Sequence, residues 1–120
     1  MNEGIEKRKL LIDTKTKHAI KVFLDMLHAS YSVHQSILFG SRARHTHSIE
    51  SDADIAIILN GEKGQRSSVA MDMAGISFRA MLETGILVDA LPLWQSEMEK
   101  PELFSNPALI ENIQREGVLM

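Results

Sequence analysis

Gly40-Ser41 closes one apolar run and Asp52-Ala53-Asp54 opens the next, within the stretch GSRARHTHSIESDAD. The two ends suit different parts of one ligand. A glycine between a strand and a helix lets a ligand approach the backbone. The helix start behind it offers unpaired N–H groups and a partial positive charge, an arrangement that holds phosphate. The Ser41 hydroxyl would add a hydrogen bond, and Arg42 or Arg44 would add charge. An ordinary capped turn with two solvated arginines uses the same residue types, so this half is not diagnostic alone.

Asp52 and Asp54 stand two apart, and on a strand such residues share a face. Two adjacent carboxylates repel, and a divalent cation resolves the repulsion. Mg²⁺ favours a few carboxylates together with substrate phosphate oxygens. A two-ion site sets the ions roughly 3.5–4 Å apart and clamps attacking and leaving oxygens. Loop-end aspartates kept for solubility would look the same. Asp89 lies inside ILVDALPL, apolar on both sides. Burying an unpaired carboxylate is costly, so such a residue needs a cation, several donors or a raised pKa, unless it points outward from an edge strand. As third ligand of the same metal site it would have a partner. A phosphate-holding turn, a carboxylate pair and a third carboxylate together are the parts of phosphoryl-type transfer. His45 and His47 form an HxH with no carboxylate or third histidine at ligand spacing, and are read as solvated loop residues rather than metal ligands.

The elements that must position these residues follow from periodicity. Residues 14–31 carry Ile20, Phe23, Leu24 and Leu27 at helical spacing, which predicts one amphipathic helix starting between residues 8 and 15. SILFG is a short buried strand, SRAR a short helix or turn, and HTHSIES a polar loop. DADIAIIL is a second strand, ended by Asn60-Gly61. Residues 66–83 form a second long helix despite Gly75, stopped by Gly85. ILVDALPLW is a third strand, with Pro92 near its end or on an edge. Ser105-Asn106-Pro107 starts the last helix, about 107–116, within ALIENIQREGVL. The order is an α/β pattern with three core strands.

The chain has 120 residues, 13 Lys and Arg against 16 Asp and Glu, and no cysteine. That length suits a single domain over 1–120. The net charge of −3 argues against long nucleic acid, whose binding depends on phosphate neutralisation. No apolar run reaches the roughly 18 residues of a membrane span. The charged start, MNEGIEKRKLLIDTK, lacks the apolar core of a signal peptide. A cytoplasmic protein with no membrane partner is expected.

The spacing Gly40-Ser41, ten residues, Asp52-x-Asp54 resembles the nucleotidyltransferase superfamily related to DNA polymerase beta. The fuller string LFGSRAR…SDADIAIIL, with the later VDAL, is similar to the minimal nucleotidyltransferases (MNT) paired with HEPN proteins, over roughly residues 14–93. The resemblance implies a small mixed sheet flanked by helices. It implies that Gly40 and Ser41 hold nucleotide phosphates, that Arg42 and Arg44 neutralise them, and that Asp52, Asp54 and Asp89 bind Mg²⁺, two ions in all. Asp89 would also assist deprotonation of the acceptor. The implied reaction moves AMP from ATP to a tyrosine hydroxyl of a partner HEPN toxin, making the chain its antitoxin. Contact-only neutralisation and transfer to a small molecule are the alternatives.

One departure stands out. A glycine often follows GSRAR in the family and His45 replaces it, so a different loop path is expected. The sequence after residue 93 leaves little room for the acceptor domain of larger relatives, so the acceptor is expected on another protein. Phe23 with Leu27 and Met71 with Met73 are read as core faces, with docking of that partner as the alternative.

Overall fold

The computed structural model describes residues 11–120. Helix α1, Thr14–Leu27, starts at Asp13, whose carboxylate accepts from the Thr16 backbone N–H at 3.0 Å and the Thr16 hydroxyl at 2.7 Å. Its helical-period residues Ala19, Ile20, Phe23 and Leu27 are buried. The helix stops four residues earlier than expected. The N–H groups of Ser30 and Tyr31 both return to the Leu27 carbonyl, turning the chain into β1, Val33–Phe39. The five-residue α2, Gly40–Arg44, follows without a break. Then come β2, Ala53–Leu59, and α3, Arg66–Thr84. Gly85 ends α3 in the left-handed conformation (φ 80°), its N–H bonded to the Met81 carbonyl at 2.7 Å. β3, Val88–Trp94, leads into α4, Gln95–Glu99, and a 3-10 turn at Pro101–Leu103. Asn106 caps α5, Pro107–Glu116, and the chain closes with β4, Val118–Leu119.

The strand order is β3-β2-β1-β4. β2 pairs antiparallel with β1 and parallel with β3, the parallel step being bridged by α3. Pro92 lies on β3, an edge strand, where a missing N–H is tolerated. Alternation divides the core. Leu38, Ile55, Ile57 and Val88 pack with Phe23, Met73 and Ala80 of α1 and α3. Ile37, Ala56, Ile58 and Leu93 pack with Phe104, Ile110 and Ile113 on the other face. Phe23, Leu27 and Met73 are core, whereas Met71 is 78% exposed.

Three strands were expected and four are present. Val118 and Leu119 pair with Leu38 and Ile37 of β1. Gly117 permits this fold-back, since a Cβ there would strike the Ile113 carbonyl and the Ile37 side chain. Two residues are too few to show alternation, which is why the strand merged into the helical pattern. No helix among the described residues is long and apolar enough to cross a membrane.

Nothing in the sequence signalled Glu97, which is fully buried. Both its oxygens accept from Arg66, one at 3.0 Å, and one also accepts from the Trp94 N–H at 3.2 Å. The Arg66 guanidinium also accepts cation–π stabilisation from Trp94 and Phe104, at 5.3 and 4.7 Å from the ring centres. Burial pushes the Glu97 carboxyl up. Its bonds to Arg66 and Trp94, and the charges of Arg66 and Lys63, outweigh that and hold it below the usual range. A lowered carboxyl stabilises the fold above its unfolded pKa and loses that contribution as pH falls through the folded value. Glu97→Gln should therefore cost about 3 kcal/mol at neutral pH by leaving Arg66 unpaired. Denaturant titration should show the deficit shrinking in acid.

Candidate active site

Asp54 sits near the start of β2, opposite Phe39 of β1 on one side and Asp89 of β3 on the other. Asp52 is two residues upstream, just before the strand. By alternation all three carboxylates belong to the face that carries α5. The residues of that face packed by α5 and the 3-10 turn, Leu91 and Leu93, lie further along β3. This end of the sheet is consequently open: Asp52 and Asp89 are exposed and Asp54 is half-buried. Asp89 was expected to be either buried among apolar neighbours or on an outward edge position. It is on the edge strand and exposed, because the sheet face beside it has no helix over it.

The carboxylates sense one another. Burial raises the Asp54 carboxyl, the charges of Asp89 and Asp52 raise it further, and Arg44 partly offsets them. Gly40 lies against this group. Its φ is +74°, and a Cβ at that position would collide with the Asp54 carboxylate. The glycine is thus required twice, by backbone conformation and by space. Ser41 follows at the head of α2, and its hydroxyl has no hydrogen-bond partner among the described residues. The structure therefore brings Gly40, Ser41, Asp52, Asp54, Asp89 and Arg44 to one end of the sheet.

The two arginines part company. Arg44 is exposed, 3.7 Å from Glu116 at the end of α5, and close enough to Asp54 to oppose its neighbours. It remains available to phosphate. Arg42, also expected at phosphate, is only 3% exposed. Its Nε and Nη2 donate to the Ser51 carbonyl at 3.0 and 2.7 Å, and its Nη1 donates to the Thr16 hydroxyl at 2.8 Å. A guanidinium with its donors committed this way fastens the loop rather than a ligand. The fastened carbonyl belongs to the residue just before Asp52.

The loop path also differs from expectation. His45 adopts φ 61° and ψ 30°, the left-handed conformation glycine would take, and ends α2 with its N–H on the Ser41 carbonyl. The path natural to glycine is kept, at a cost in strain. His47 turns back to Asp13, 3.4 Å away, and His45 is exposed. His45 is thus solvated as expected, whereas His47, expected to be solvated too, is largely buried against the head of α1. A groove of about 550 Å³ is lined by Lys15, His18 and His47 with the Thr84–Ile86 turn, and contains none of the three aspartates.

Among the described residues no three carboxylate or imidazole groups converge tightly enough to cage an ion. The oxygens of the three aspartates nonetheless fit Mg²⁺, which completes its shell with water and phosphate oxygens rather than an all-protein cage. Asp52, Asp54 and Asp89 are the residues that would hold it.

The chain matches the family model described as "Polymerase beta, Nucleotidyltransferase" over residues 21–119. Its structure is similar to that of a candidate nucleotidyltransferase from Sulfolobus solfataricus, with 20% identity and a TM-score of 0.53. The likeness covers 89% of this chain and 86% of that one, and at such identity it speaks for the fold alone. No curated protein matches the chain.

Two outcomes are expected. Asp54 binds its proton more tightly in the folded chain than in the unfolded one, so stability falls as pH rises through its raised folded value. In metal-free buffer at neutral pH, Asp54→Asn should melt above the parent chain, with the difference vanishing in acid. A variant that melts lower at neutral pH would instead show an ionised carboxylate held by donors. His45→Gly should relieve the left-handed strain and raise stability by about 0.5–1 kcal/mol, net of the entropy glycine adds to the unfolded state. Chemical denaturation measures this directly.

Proposed function

The chain belongs to the polymerase beta-like nucleotidyltransferase family and has its fold, and from that premise we propose that it transfers AMP from ATP to a tyrosine hydroxyl of a partner HEPN toxin, acting as its antitoxin. The observation that carries the transfer reading is the register of β1, β2 and β3. It sets Asp54 beside Asp89 and against Gly40, leaving three carboxylates and the Gly40-Ser41 turn at one exposed end of the sheet.

In this reading the Gly40 backbone and the Ser41 hydroxyl hold the triphosphate, and Arg44 balances its charge. Divalent cations bound by Asp52, Asp54 and Asp89 would supply charge neutralisation for the phosphates and the attacking oxygen. The acceptor oxygen forms a bond to the α-phosphorus as the bond to pyrophosphate breaks. Asp89, on the open edge strand, is placed to accept the proton that the hydroxyl loses. Arg42 takes no part in binding and acts by fixing the approach to Asp52.

The choice of acceptor rests on the likeness of LFGSRAR…SDADIAIIL to minimal nucleotidyltransferases and on two features of the chain. The described residues after β3 are taken up in covering the sheet as α4, α5 and β4, so none of them forms an acceptor-binding lobe. The single tyrosine, Tyr31, is a poor internal acceptor. Its hydroxyl donates to Asp72 at 2.6 Å, and that bond, burial and the Asp72 charge push it up to about 12. A nucleophile must lose its proton in the reaction, and this one is held.

Incubation with labelled ATP and Mg²⁺, with and without the protein encoded beside this one, tests the proposal by mass spectrometry of both chains. Whole AMP units should appear on the neighbour's tyrosine, and disappear with Asp54→Asn. A tight complex with no AMP gained would replace transfer by neutralisation through contact. Transfer to a small molecule with the neighbour untouched would overturn the assigned acceptor.

A further inference from the structure

The outer face of α3 has no role in the site and no cover from the described chain. Met71, Phe78 and Leu82 are 78%, 53% and 71% exposed. They recur at intervals of seven and four, with exposed Ala74 and Gly75 between them, so they form one stripe along the helix. The stripe lies opposite the buried Met73, Ile76 and Ala80. Gly75 is the informative residue. A mid-helix glycine costs about 0.8–1 kcal/mol relative to alanine. Nothing among the described residues requires it, since a Cβ there would meet none of their atoms within 4 Å. Its one structural effect is to leave the centre of an apolar stripe open to close approach from outside.

The charges beside the stripe select the occupant. Asp72 and Arg79 lie on the same flank of α3, on either side of Gly75. A two-fold axis relating antiparallel helices keeps each flank on its own side and reverses the order of residues along it. Crossing at Ala74-Gly75 therefore sets Phe78 level with the copy's Met71 and brings Asp72 to within about 3 Å along the axis of the level of the copy's Arg79, in reach of its long side chain, each pair occurring twice. A parallel pairing gives neither acid–base contact. Asp72 is already steadied by its bond from Tyr31, leaving its other oxygen for the contact. We propose that the outer face of α3 is a two-fold interface with a second copy of this chain, antiparallel and centred on Gly75.

Such an interface leaves both sites free, because α3 covers the sheet face opposite the one to which Asp54 belongs. A 19-residue helix is about 28 Å long. One helix pair then buries on the order of 1,000 Å², the lower limit for a specific interface. The dimer is therefore weak and concentration-dependent.

Analytical ultracentrifugation of the full chain over the micromolar range tests this. The mass should climb from 13.4 kDa towards twice that value. Arg79→Asp, which sets like charges opposite each other, should keep the chain monomeric, and adding Asp72→Arg should restore the dimer. Phe78→Glu, on an exposed position outside the core, should also dissociate it while the circular dichroism spectrum stays unchanged, which covers the case where the double variant fails to fold. A chain that is monomeric throughout overturns the proposal, as does a dimer indifferent to Arg79→Asp and Phe78→Glu. Failure of the folded double variant to dimerise would overturn the antiparallel register.

Discussion

The buried guanidinium of Arg42 is the contact on which the site depends. It joins three segments: the head of α1 through Thr16, the short α2 from which it extends, and the loop that returns through Ser51 to Asp52. Asp13 reinforces the first of these by accepting from the same Thr16 hydroxyl. Arginine suits this position because its planar fork spreads several donors in fixed directions, and because a carbonyl and a hydroxyl can satisfy it without a buried counter-charge. The loop is thus held by hydrogen bonds at its base, and by His47 against Asp13.

That fastening allows the opposite tendency next door. Asp52, Asp54 and Asp89 lie together at the open end of the sheet, where the charges of Asp52 and Asp89 disfavour ionisation of Asp54. The chain tolerates this because the backbone there is tied down: β2 is hydrogen-bonded on both sides, Gly40 presses on Asp54, and Arg42 fixes the residue before Asp52. Near the other end of β3, Glu97 and Arg66 form the reverse case, a buried pair of opposite charge whose lone pairs and donors are largely satisfied. The first cluster is open to solvent at Asp52 and Asp89 and joins charges of one sign. The second is buried and complete, as an anchor for α3, β3 and α4 needs.

The sheet keeps these functions separate. One face is closed by α1 and α3. The other is closed by α5 and the 3-10 turn over only part of its length, and the uncovered part carries the carboxylates. His45 shows how firmly the turn beside them is specified. A residue poorly suited to the left-handed region still occupies it, because α2 must end there for the loop to reach Ser51.

Much of this was legible in the chain itself. Alternation and helical period located β1, β2, β3, α1, α3 and α5, since burial of one face is written into residue spacing. Gly40-Ser41 and Asp52-x-Asp54 were legible as a candidate site because residue type and spacing carry their chemistry, and the fold brings them to one end of the sheet. The tertiary structure decided the rest, for a common reason: the deciding partner is remote in sequence. Arg42 and Arg44 are two residues apart and chemically alike, yet Thr16 and Ser51 capture one and leave the other to solvent. Asp89 has apolar neighbours along the chain, yet its exposure follows from where α5 stops covering the sheet. Glu97 is ordinary in sequence and finds Arg66 only through the fold, and β4 exists only because β1 offers an unpaired edge. A sequence states what each residue is able to do, and packing selects which of those abilities is used.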